Sequence, residues 1–246
     1  MKISFVIPAY NEEKRIAECL SAVQKMLARG TYDTEIIVVN NASTDRTKEV
    51  ALGFVGVQVV DESRKGLVWA RRAGMQAATG ELIANVDSDV ILPETWLDTV
   101  VEKFEKDLSL VALSGPFVYY DLPKFSQKCT NGFYRIGMVI NWFNKKFLNT
   151  SSLLQGGNYV INKKAFESIG GFDTSIEFYG EDIDVGRRLS RVGNVLFTFD
   201  LSVYTSGRRL KKEGVFATGV RYAINFFWVT FMAKPFTYTH NDVRHD

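Results

Sequence analysis

Short runs that are apolar on both faces alternate with helical periodicity along the first 90 residues of the chain. The runs fall at residues 3–8, 35–40, 57–61 and 82–86, and their cores read FVI, IIVV, VQVV and LIANV. Helical spacing is predicted between them at residues 12–27, 44–52 and 66–79. In the first helix Ile16, Leu20, Val23 and Leu27 make one apolar stripe, and Cys19 beside it is read as a packing residue. Strands without alternation suit a parallel sheet covered on both sides. The expected fold is therefore α/β: an open, mostly parallel sheet with helices on both faces.

Composition narrows the class. The chain has 246 residues, 46% hydrophobic and 24% charged, which excludes collagen-like and disordered classes and allows one main core. Thirty basic against 28 acidic side chains give a net charge of +2, too little for a chain-wide field that grips nucleic acid, so no nucleic-acid partner is expected. The two cysteines, Cys19 and Cys129, have no C-x-x-C spacing and support neither a disulfide framework nor a zinc site. The apolar run near Met1 is too short for a signal-peptide core, so a cytoplasmic location is expected.

Ligands of open α/β sheets bind beyond the carboxyl ends of the strands. Here those ends are all polar: 8–12 (PAYNE), 40–45 (NNASTD), 61–66 (DESRKG) and 87–89 (DSD). No glycine pair has the spacing of a dinucleotide fingerprint, and no glycine is followed by lysine as in a phosphate loop. The two histidines, His240 and His245, lie at the end of the chain, which disfavours a histidine triad or a histidine-ligated zinc. Acid-base or metal work would fall to carboxylates. Asp87 and Asp89 share a face if the strand continues, and such oxygen donors suit magnesium or manganese; a plain turn explains them too. Glu181, Asp182 and Asp184 open a helix, either as chemistry or as first-turn acids that complement its dipole for about 0.3–1 kcal/mol each.

In order, the strings VIPAYNEE, VVNNASTDRT, KGLVWARRAG, ATGELIANVDSD, GGNYVINKKAFESIGGFD and FYGEDIDVGRRL resemble the motifs of family 2 glycosyltransferases with the GT-A fold, over residues 1–210. The resemblance implies a Rossmann-like sheet, a nucleotide-diphospho-sugar donor and inversion at the anomeric carbon. It divides the chain into a donor half (1–115), an acceptor half (116–210) and an amphipathic helical C-terminal extension (211–246). It implies that Asp87 and Asp89 hold Mg2+ or Mn2+, Asp89 as the direct ligand. Pro8, Tyr10, Glu12, Asn41, Lys65, Gly66, Arg71, Ser88 and Arg208 would border the donor with Asp87. Asp182 matches the general base, and Glu181 would orient an acceptor in space left by Gly156, Gly157 and Asn158; a simple turn is an equal reading of the paired glycines. Two departures stand out: the family more often reads V-D-D-G-S where this chain has Val39-Asn40-Asn41-Ala42-Ser43, and A-R-N has become Ala70-Arg71-Arg72.

The acceptor is expected to be a glycan hydroxyl or a polyprenyl phosphate. A degenerate domain that binds without turnover is the alternative, and the presence of Asp87, Asp89 and Asp182 argues against it. A nucleotidyltransferase is disfavoured by the missing glycine-rich start. Two further segments are greasy. Ile136, Val139, Ile140, Phe143 and Phe147 repeat helically and are compatible with core; Phe216, Val220, Ala223, Ile224, Phe227 and Phe231 repeat likewise, with Thr218, Arg221 and Asn225 on another side. Beside the second segment, Arg208, Arg209, Lys211 and Lys212 would attract an anionic membrane surface, which suggests a peripheral seat at the inner face of the plasma membrane. Packing on the catalytic domain and a homodimer contact are the competing readings, and Arg208 or Arg209 could instead touch the donor diphosphate.

Overall fold

In the computed structural model, residues 1–30, 32–148, 150–151, 153–176 and 180–237 are described. His240 and His245 lie outside them. The chain runs β1 (Ile3–Ala9), α1 (Ile16–Leu27), β2 (Thr34–Asn41), α2 (Thr47–Leu52), β3 (Val57–Glu62), α3 (Leu67–Ala77) and β4 (Leu82–Val86). After these come β5 (Val90–Ile91), α4 (Trp96–Lys106), β6 (Leu110–Ser114), β7 (Phe117–Tyr119), α5 (Lys124–Leu148), β8 (Asn158–Asn162) and α6 (Lys163–Ser168). Then follow α7 (Glu181–Leu189), β9 (Asn194–Phe197), β10 (Val203–Thr205), α8 (Arg208–Glu213) and α9 (Val215–Met232).

Among the described residues, seven strands form one sheet in the order β3-β2-β1-β4-β8-β6-β9. All are parallel except β8, which runs antiparallel to β4 and to β6. β1 lies between two partners, with Val6 opposite Ile37 and Asn85, and every one of its side chains is buried. Its apolar run therefore needs no alternation. One core packs α1 and α4 against the sheet through Ile16, Leu20, Val23, Trp96 and Val100; the other face packs α3, α6 and α7 through Val68, Phe166, Val185 and Leu189. Cys19 is buried in the first core, as its place beside the stripe predicts, and burial pushes its thiol up.

The sequence places two helix starts too early. Residues 12–15 form a turn in which Glu12 C=O accepts from Arg15 N–H (2.9 Å), so α1 begins at Ile16 and Glu12 stays at the rim. Likewise Asp45 accepts from Thr47 N–H (3.0 Å), which makes residues 44–46 the entry to α2 rather than its first turn. A second sheet, β5-β10-β7, was not foreseen. It pairs residues as distant as Ile91, Tyr204 and Val118, and delivers the chain after Thr205 to the site.

α5 corrects the expectation that its apolar stripe is core. Ile136, Val139, Phe143 and Phe147 are exposed, so they do not fill the core, whereas Thr130 and Asn144 on the same helix are buried. α9 does the same, burying Thr218, Asn225 and Val229 while Phe216, Val220, Phe227 and Phe231 face outward. The polar side is held by specific bonds: Asn225 Oδ1 accepts from Phe236 N–H and Thr237 N–H, each at 3.0 Å. Gly180, at φ +91°, meets α9 so closely that a Cβ there would lie 2.5 Å from Val229.

Candidate active site

β4 ends at Val86, and the three residues that follow carry Asp87, Ser88 and Asp89 to the rim beside the end of β1. Asp87 takes a hydrogen bond from Arg71 Nη2 (3.2 Å) on α3. Gly157, at φ +84°, comes so close that a Cβ would stand 2.2 Å from the Asp87 carboxyl carbon, so only glycine fits there. Asp89 faces Arg208 at 3.1 Å, and Arg208 Nη1 also donates to Glu12 Oε2 (3.2 Å), tying the start of α8 to the end of β1. Burial is the main force raising the Asp89 carboxyl to about 6; Arg208 opposes it, and the Asp87 and Glu12 charges add to it. Arg208 thus pairs with Glu12 and Asp89, and Arg71 with Asp87.

Glu181 and Asp182 occupy the first turn of α7, on the other side of Arg71. Arg71 is 1% exposed and donates through Nη1 to Glu181 (2.5 Å), while its guanidinium lies 5.5 Å from the ring centre of buried Tyr159. One buried cation thus joins the rim acid Asp87 to the α7 acid Glu181. Asp182 Oδ2 accepts from Gly156 N–H (2.7 Å) and Oδ1 from Ile183 N–H (2.8 Å). Burial raises both carboxyls, that of Glu181 to about 8 with the Asp182 charge added, while Arg71 and backbone N–H groups oppose the rise. Asp184 plays a different part: it accepts from Arg187 and Arg188, each at 2.7 Å, and Arg188 in turn donates to the carbonyls of Ile169 and Gly171.

A cavity of about 410 Å3 brings together Pro8, Tyr10, Glu12, Arg71, Asp87, Ser88, Asp89, Gly156, Glu181, Asp182 and Arg208. Five expected residues do not line it. Asn158 is 0% exposed, its amide bonded to Trp96 Nε1, Gly115 O and Leu201 O, so it is a core tie and not an acceptor contact. Asn41 is also buried: its amide donates to Glu62 O (3.1 Å) and Arg64 O (2.7 Å) and accepts from Gly66 N–H (2.8 Å), which shapes the 62–66 loop and engages both of its N–H donors. Gly157 backs Asp87, and Gly66 stands before α3. Lys65 reaches the rim indirectly, 4.0 Å over the Tyr10 ring and 2.7 Å from its hydroxyl. Sequence reasoning missed the apolar part of the cavity, formed by α5 and α9; the polar residues recurring within those greasy helices were the available signal.

The residues fit a divalent ion of the magnesium type. Among the described residues no three His, Cys, Asp or Glu side chains converge into a cage. Such an ion is commonly held by one or two carboxylates plus substrate phosphates, and Asp87 and Asp89 supply that much.

An open α/β sheet with an acid-lined crevice beyond its strand ends defines the class, and comparison with known proteins supplies the family. Residues 4–170 match the model of glycosyl transferase family 2, and the chain belongs to that family. It is 25% identical over 206 residues to glycosyltransferase AglE of Haloferax volcanii, covering 81% of this chain and 65% of that protein. It is 23% identical to the glucosyl-dolichyl phosphate glucuronosyltransferase of the same organism, over 71% of this chain and 57% of the relative. The mannosyltransferase PcManGT from Pyrobaculum calidifontis, solved with GDP-Man and Mn2+, superposes with a TM-score of 0.71 at 20% identity, over 94% of this chain and 63% of that one. The fold is that of the GT-A glycosyltransferases. The chain spans less than two thirds of each of these relatives.

Proposed function

We propose that the protein is an inverting, divalent-metal-dependent glycosyltransferase that moves a sugar from a nucleoside diphosphate to a glycan hydroxyl or a polyprenyl phosphate. The observation that carries this reading is one cavity holding two acid sets, Glu12, Asp87 and Asp89 on one side and Glu181 and Asp182 on the other, joined through buried Arg71. Family membership and the metal and nucleotide-sugar bound to the Pyrobaculum enzyme support it. Residues 1–115 would take the donor and 116–210 the acceptor, with 211–246 as a C-terminal extension.

Each residue has a physical task. Tyr10 and Pro8 offer an apolar edge to the nucleoside, and Arg208 offers a cation to the diphosphate. Asp87 and Asp89 would hold Mg2+ or Mn2+ with phosphate oxygens; the ion would neutralise the diphosphate as a leaving group. Asp182, fixed by two backbone N–H groups, accepts the proton of the acceptor hydroxyl while that oxygen bonds to the anomeric carbon. The anomeric bond to the diphosphate breaks on the opposite face, and the nucleoside diphosphate departs with the electron pair. Glu181, held by Arg71, orients the acceptor. The exposed aromatic face of α9 and the cations of α8 would seat the protein peripherally on an anionic membrane face at the cytoplasmic side. α9 is 18 residues long at a mean hydropathy of 1.2, enough by length and composition alone to cross a membrane, but its Thr218–Asn225 side packs on protein.

Asp182→Asn tests the assignment. The amide keeps the shape of the side chain but takes no proton, so turnover should fall about 10²- to 10⁴-fold with donor affinity nearly unchanged. Single-turnover rates and a donor titration on the same variant check this. Wild-type turnover in Asp182→Asn with loss in Glu181→Gln would move the base to Glu181.

A further inference from the structure

Two arginines answer the acids that follow β4, and they are held very differently. Arg71, on Asp87, is buried and locked by Glu181 and the Tyr159 ring. Arg208 lines the open cavity with a side chain 22% exposed, its Nη2 lying 3.1 Å from Asp89 Oδ2 and its Nη1 3.2 Å from Glu12 Oε2. The guanidinium fork thus spans two carboxylates, one past the end of β1 and one past the end of β4.

The backbone that carries Arg208 is fixed at both ends. Asp121, past β7, accepts from Gly207 N–H (2.6 Å), the Ser206 hydroxyl (2.8 Å) and Lys211 Nζ (3.0 Å). At the far end of α8, Glu213 accepts from Arg209 (3.4 Å) and from Arg221 of α9 (2.7 Å), and Leu210 between them is buried. What can move is the side chain: rotation about its own bonds carries the guanidinium off the carboxylates and into the cavity while α8 stays in place.

Asp89 is also one of the two carboxylates that fit a divalent ion. A dication taken there meets the like charge of Arg208 on the same carboxylate, in a partly buried setting where water screens it weakly. A diphosphate reverses the balance. Its oxygens match the guanidinium fork as a carboxylate does, and they bring negative charge to the ion as well. We propose that Arg208 makes divalent-ion binding at Asp87 and Asp89 conditional on the diphosphate: without one the guanidinium holds Asp89 and Glu12, and with one it passes to the phosphate oxygens and releases Asp89 to the ion. This rests on the transferase reading for the two sites and adds the condition under which the metal site fills.

The test is Mn2+ binding to the full chain, read by electron paramagnetic resonance of the free ion, with uridine and guanosine diphosphate as probes titrated calorimetrically in Mn2+ and in EDTA. Arg208→Gln should bind Mn2+ alone at least about tenfold more tightly than wild type, an ordinary size for coupling between sites. The dependence of diphosphate affinity on Mn2+ should shrink in that variant by a similar factor, because coupling is reciprocal. Adding Asp89→Asn should erase the gain. Arg209→Gln, on a cavity cation that pairs with Glu213 instead, should leave Mn2+ affinity within about twofold of wild type. Arg208→Lys keeps the charge but gives up the fork that spans both carboxylates, so it should show a smaller gain, and it guards against a glutamine variant that fails to fold. Mn2+ affinity unchanged in folded Arg208→Gln overturns the proposal, as does a gain that survives Asp89→Asn or that Arg209→Gln reproduces. After any of those results the transferase reading still stands, provided wild type binds one of the diphosphates in Mn2+. Should neither wild type nor any variant bind Mn2+ with either diphosphate present, the metal site of that reading falls and the role of Arg208 with it.

Discussion

β1 and α9 are both rich in apolar residues and use them in opposite ways. Every side chain of β1 is buried, and α1 beside it buries Ile16, Leu20 and Val23 as its stripe predicts. α9 instead buries Thr218 and Asn225 and leaves Phe231 54% exposed; α5 buries Asn144 and leaves Phe143 49% exposed. Periodicity identifies the faces of an element, but which face turns inward depends on what lies beside it. In the first 90 residues the neighbours are strands and helices of the same sheet. Around α5 and α9 much of the apolar side stays exposed among the described residues.

The difference can be broken most forcefully at the buried link between the acid sets. Arg71→Met would leave Glu181 beside Asp182 with no cation, and should cost about 3–5 kcal/mol in denaturant unfolding, the usual penalty for breaking a buried pair. Matched substitutions sharpen the contrast further. Ile7→Ala, at a fully buried position of β1, should cost about 2–5 kcal/mol. Val139→Ala on α5 should change stability by no more than about 0.5 kcal/mol, because its side chain is already exposed.

A smaller effect concerns pH. Burial first, then the Asp182 charge, raises the Glu181 carboxyl from 4.5 to about 8 in the folded protein. The folded state therefore holds more protons than the unfolded chain across that window. The contribution of Glu181 to stability is fully present below about pH 4.5 and is lost as pH rises toward 8, and Asp182, also raised by burial, adds in the same direction. Thermal unfolding between about pH 5 and pH 8 should show falling midpoints, and Glu181→Gln should flatten the slope. A slope unchanged in that variant would mean that other groups set it.

The order of β1 to β4 and their helices was legible because parallel strands, covered on both faces, write themselves as uninterrupted apolar runs. The β5-β10-β7 sheet was not, since strands of two or three residues paired across about a hundred positions leave no periodic trace. At the rim, the sequence located Asp87, Asp89, Glu181 and Asp182, which the fold gathers into one cavity. It misjudged Asn41 and Asn158 for a common reason. An amide after a strand can face a ligand or tie loops together, and here backbone groups of Glu62, Arg64, Gly66, Gly115 and Leu201 claim both side chains. The paired glycines proved to be sites of close approach: Gly157 admits Asp87, and a Cβ at Gly156 would stand 3.1 Å from Asp182.

Whether the acid-lined crevice takes a nucleoside diphosphate sugar together with a divalent ion is decided by calorimetric titration of wild type and Asp89→Asn with uridine and guanosine diphosphate sugars, in Mn2+ and in EDTA. One donor should bind wild type in Mn2+. EDTA and Asp89→Asn should each abolish that binding while the variant unfolds like wild type, because a neutral amide is a poor partner for a hard dication. Donor affinity that is the same in all four conditions, or no donor binding to folded wild type in either buffer, would contradict this assignment.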